Sequence, residues 1–114
     1  MSAQRTHAMK RHDTAPPIRV KICDEIGSPV SLAGATLPRF FMRDSVSGVA
    51  KVDAAASVEN AALGIVAYSW SSADTSESGT FYAEFSVVLS SGKTLTVPSD
   101  TPIVVRILPD LDGV

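Results

Sequence analysis

Ser91-Gly92-Lys93-Thr94 ends like a phosphate-binding loop, and His7, His12 and Asp13 carry donor atoms a metal could use. Neither arrangement holds up as chemistry. A phosphate loop needs a glycine five positions before Gly92, where Val87 stands, and a helix to follow, whereas Leu95-Thr96-Val97 reads as strand. The two histidines and Asp13 lie on a polar segment with no second donor cluster to complete a coordination shell, and their spacing matches no zinc pattern. No Gly-x-Ser-x-Gly elbow accompanies the many serines, and both histidines precede the folded region. The carboxylates of Asp24, Glu25, Asp44, Asp53, Glu59, Asp74, Glu77 and Glu84 fall mostly in turns. No enclosing cleft is predicted there to shift a pKa. The expectation is a protein that is not an enzyme, with no cofactor and no metal. Aromatic residues remain. Tyr68 and Trp70, two apart on an apolar strand, are placed to fill a core, although the same pair could stack on a sugar or a base. Tyr82 falls on a wetter face and is a candidate interface anchor.

The elements that would position these residues are strands. From Gly79 to Leu89 the chain alternates strictly, with Phe81, Ala83, Phe85, Val87 and Leu89 on one face and Tyr82, Glu84 and Ser86 on the other. A period of two over that length means one buried and one wetter face. A Ser-Ser-Gly-Lys turn then leads to a second alternating strand, making a long hairpin over residues 79–97. Further strands are expected at 18–22, 36–43, 49–52, 64–70 and 103–108, with a strand and turn over 53–63. Pro38 cannot donate to a ladder, so its strand must lie at an edge or carry a bulge. About seven short strands separated by turn signals argue for an all-β, immunoglobulin-like β-sandwich with an extended N-terminal arm. The expected organisation is a flexible basic arm over 1–15, the sandwich over 16–109 and a short acidic tail over 110–114.

Composition narrows the class. The apolar share of 45% is ordinary for a globular domain, and the formal net charge of −2 implies no general attraction to nucleic acid or to an anionic membrane. Charge is unevenly spread: Arg5, Lys10 and Arg11 against Asp13 give the first thirteen residues +2, leaving −4 for the remainder. A single cysteine, Cys23, excludes an internal disulfide and fits a reducing cytoplasm. Residues 1–13 lack the apolar core of a signal peptide, and the longest apolar run, 61–68, is too short to cross a bilayer.

Four segments together carry a family resemblance. They are Lys10-Arg11-His12-Asp13-Thr14-Ala15-Pro16-Pro17-Ile18; Gly27-Ser28-Pro29-Val30-Ser31-Leu32-Ala33-Gly34-Ala35-Thr36, followed by Phe41-Met42-Arg43; Gly64-Ile65-Val66-Ala67-Tyr68-Ser69-Trp70; and Asp74-Thr75 leading to Gly79-Thr80-Phe81-Tyr82-Ala83-Glu84-Phe85. In order and spacing, over roughly residues 10–108, the chain resembles the immunoglobulin-like N-terminal domain of tailed-phage baseplate upper proteins. It departs from that pattern at Pro38, which looks inserted, and at Phe81, where such domains often place a corner tyrosine.

The resemblance implies a bacteriophage virion structural protein, made in the host cytoplasm. It would be an adaptor or decoration domain docking in several copies onto tail, baseplate, neck or head proteins. Its expected partners are other virion proteins and further copies of itself, with no nucleic acid and no membrane. The alternative is a carbohydrate-binding or host-adhesion module in which Tyr82 or Trp70 stacks on sugar. Candidate partner-binding residues are Arg5, Lys10 and Arg11 on the arm, Tyr82, and Ile103 and Val105 on a last strand expected to lie at an edge open to strand addition.

Overall fold

A computed structural model describes residues 6–24, 26–98 and 102–109, which contain no helix. In chain order the strands are β1 (Thr6–Lys10), β2 (Ile18–Lys21), β3 (Thr36–Asp44), β4 (Ala50–Ala55), β5 (Ser57–Asn60), β6 (Ile65–Tyr68), β7 (Gly79–Val88), β8 (Thr94–Val97) and β9 (Ile103–Leu108). The larger sheet runs β1-β9-β7-β3-β4, with β8 also paired to β7; the smaller runs β2-β6-β5. This is the all-β sandwich expected from the alternation. The order β9-β7-β3-β4 over β2-β6-β5 reproduces the G-F-C-C′ over B-E-D arrangement of a variable-type immunoglobulin sandwich.

Alternation decides which side chains meet between the sheets. Along β7 the burial pattern puts Phe81, Ala83, Phe85 and Val87 inward, and along β9 Ile103, Val105 and Ile107. Phe40 of β3 is the hub. Its ring stacks on Tyr68 of the opposite sheet with centroids 4.6 Å apart, meets Trp70 edge-on at 5.4 Å and leans on Phe85 at 4.9 Å. An aromatic contact that spans both sheets ties them together beyond the area it removes from water.

Two expectations need correction. Residues 6–10 are not a flexible arm: they form β1, which pairs parallel to β9 with Thr6 opposite Val104 and Lys10 opposite Leu108. Met9 turns inward and is buried, which holds the strand down. Consequently β9 is not an open edge, because β1 satisfies one side of it and β7 the other. The expected hairpin over residues 79–97 is present as β7 and β8, and the expected last strand over 103–108 is β9. β8 pairs with residues 85–88 of β7 and β9 with residues 79–83, so the two share one flank of the same long strand.

Pro38 produces the bulge its chemistry requires. The β3–β7 register slips between Thr36 and Arg39, Leu37 takes a φ of 52°, and the Pro38 carbonyl accepts the amide of Ala56 at 2.8 Å.

Candidate binding face

Outward-facing residues of the larger sheet form an ordered pattern of side chains large enough to recognise a partner. Cross-strand pairing sets them in two rows. Val104, Tyr82 and Arg43 stand side by side on β9, β7 and β3; one step along, Glu84 and Phe41 stand opposite each other, with Asp53 beyond Phe41 on β4. Tyr82, Arg43, Phe41 and Glu84 thus make a square, aromatic on one diagonal and ionic on the other. Phe41 and Tyr82 are half-buried; Arg43 and Glu84 are exposed.

The square lines a shallow depression of about 380 Å³, bounded on one side by Pro102 and on the other by Gly48, Ala50 and Asp53. Small residues at 48 and 50 keep the β4 rim low, so the aromatic rings remain reachable. The hairpin loop there is shaped by Asp44, whose Oδ1 accepts the amides of Val46 at 2.8 Å and Ser47 at 2.9 Å. Those two hydrogen bonds favour the ionised carboxylate and hold its pKa below the usual 3.8.

Charges around the depression differ in their commitments. Arg39 donates to Asp53 Oδ1 at 2.5 Å and lies 5.9 Å above the Phe41 ring. Among the described residues neither Arg43 nor Glu84 has an ion-pair partner. Two opposite charges therefore flank two half-exposed aromatic rings, neither paired with another charge among the described residues.

The other residues singled out from the sequence lie elsewhere. Arg5 falls outside the described residues. Lys10 is exposed on β1, whereas Arg11 is committed internally, its Nε donating to the Ser76 carbonyl at 3.2 Å. Ile103 and Val105 are fully buried in the core and offer a partner no surface. Trp70 is also buried, packed against His7 at 5.7 Å between centroids, so it presents no platform for a sugar. His12 is exposed past the end of β1, away from that packing. Among the described residues no three His, Cys, Asp or Glu side chains come together in a way that could hold a metal ion. Residues 91–93 lie in the β7–β8 turn and Thr94 opens β8, with the Leu89 amide donating to the Lys93 carbonyl at 2.8 Å and Gly92 at φ 87°. Of these candidates, only Tyr82 reaches the depression; Phe41, Arg43 and Glu84 join it through strand register.

The fold class is that of an immunoglobulin-like β-sandwich, and a solved structure shares it. The chain superposes on CopC from Methylosinus trichosporium OB3b with a TM-score of 0.54 and 16% identity, covering 95% of this chain and 86% of that one. No protein-family model matches the chain. No curated protein sequence matches it either. This overturns the virion reading. A solved chain that shares the fold over nearly the whole length is CopC from Methylosinus trichosporium OB3b, not a phage structural protein.

Proposed function

We propose that the chain is a protein-docking domain that acts by binding and not by catalysis, through the outer face of its larger sheet. The observation that carries this is the Phe41–Tyr82 pair, half-exposed on central strands of the sheet and set in a depression rimmed by unneutralised charge. Aromatic residues of this kind give a partner large contact area at low entropic cost, and the flanking charges orient it. In register Tyr82 lies directly between Val104 and Arg43, which sets it between the apolar and the ionic part of the face.

A photo-crosslinking amino acid placed at position 82, in cells that express the chain, tests this. Discrete protein adducts are expected from position 82 and lost when Phe41→Ser is added. A probe at Lys21, exposed on the smaller sheet, should give none. Equal adducts from both positions, or none from either, would remove the reading.

A further inference from the structure

The four-residue square has a symmetry that names its partner. Cross-strand register puts Tyr82 opposite Arg43 and Glu84 opposite Phe41. Consider a two-fold axis lying in the contact plane along the Tyr82–Phe41 diagonal. It lays each ring against its own counterpart and carries Arg43 of one chain over Glu84 of the other, twice. Such an interface is isologous: one patch complements itself, and two chains complete it without leaving a surface open. A patch bearing two cations or two anions on that diagonal would repel its copy; this one carries one of each.

We infer that the docking partner is a second copy of this chain, paired face to face through Tyr82, Phe41, Arg43 and Glu84. This rests on the docking reading above and specifies it. Both charges are exposed and free of ion pairs among the described residues, so pairing them across the axis sacrifices no bond inside the protomer. The rings bury at the centre and the reciprocal Arg–Glu contacts fix the crossing angle, a near-orthogonal packing of the two sheets. The committed Arg39–Asp53 pair stays at the rim, where it keeps each Phe41 ring in place.

Sedimentation velocity on the purified full chain, from about 1 μM to about 300 μM, covers the affinities open to an interface of ordinary size. A dimer is expected in that range, weakening as salt is raised. Glu84→Arg and Arg43→Glu each set like charges face to face twice and should weaken dimerisation at least ~10-fold. The double variant R43E/E84R reverses both partners and should return the dimer to within about threefold of the wild type. Circular dichroism of each variant checks the fold, and Glu84→Gln gives a milder second test of the same contact.

A wild-type chain that stays monomeric throughout overturns the inference. So does a dimer indifferent to both single charge reversals, since it then uses another surface. If the purified chain is monomeric while position 82 still crosslinks in cells to a different protein, self-pairing fails and docking stands. If both fail, the face is not a docking site.

Discussion

The Tyr68 hydroxyl donates to Asp74 Oδ2 at 2.5 Å, and that same oxygen accepts the Ser71 amide at 2.9 Å. One carboxylate thus joins Tyr68, the ring stacked on Phe40, to the corner loop that delivers the chain into β7. Burial, with the nearby Asp74 carboxylate, pushes the Tyr68 phenol well above the usual value of 10.0. Above that value the unfolded chain loses its phenolic proton first, so this contribution to stability falls as pH rises.

Tyr68→Phe keeps the stacked ring and removes the hydroxyl. A hydrogen bond to a charged acceptor is worth roughly 1.5–3 kcal/mol, so a loss of that size is expected in urea unfolding. A change within about 0.5 kcal/mol would show that the bond adds nothing beyond what water supplies.

Two glycines at similar φ separate backbone preference from crowding. At Gly64, φ 70°, an added Cβ would lie 2.6 Å from the Val30 carbonyl oxygen and 2.7 Å from that of Ile22; at Gly48, φ 74°, it would meet nothing within 4 Å. Gly48→Ala should cost about 1 kcal/mol through φ alone. Gly64→Ala should cost on the order of 3–5 kcal/mol, because two backbone carbonyls must also move. Equal melting shifts for the two variants would contradict the close approach at Gly64.

Acid should selectively weaken the β3–β4 loop. The pKa of Asp44 is lowered on folding, so its contribution is fully present above the unfolded value near 3.8 and is lost as pH falls through the folded one. Asp44→Asn keeps an oxygen acceptor without titrating. The stability gap between wild type and Asp44→Asn should therefore be level at neutral pH and shift against the wild type in acid. Urea titrations at both pH values that give the same gap would disprove the linkage.

Strict alternation made β7 legible, and with it the outward position of Tyr82. Phe41 was harder to place, because Phe40-Phe41-Met42 is a continuous apolar run in which no period of two is visible. Only pairing with β7 shows that Phe40 and Met42 turn inward while Phe41 turns out. β1 left still less trace. Met9 is its one deeply buried side chain, and its partner is the last strand, with no turn between them to announce the pairing. β8 and β9 were legible as separate strands, but that both lie along one flank of β7 is visible only in the register. A self-complementary square is a property of register, and no stretch of chain carries it alone.

The parallel pairing of β1 with β9 has a mechanical consequence. Because the two strands run the same way, a pull on the chain before Thr6 and an opposite pull beyond Leu108 act along a common line in opposing senses. The five matched positions between them are then loaded in shear and must yield together instead of unzipping one by one. A domain closed in this manner resists being drawn out end to end far better than its few rungs would suggest, with β1 serving as its latch.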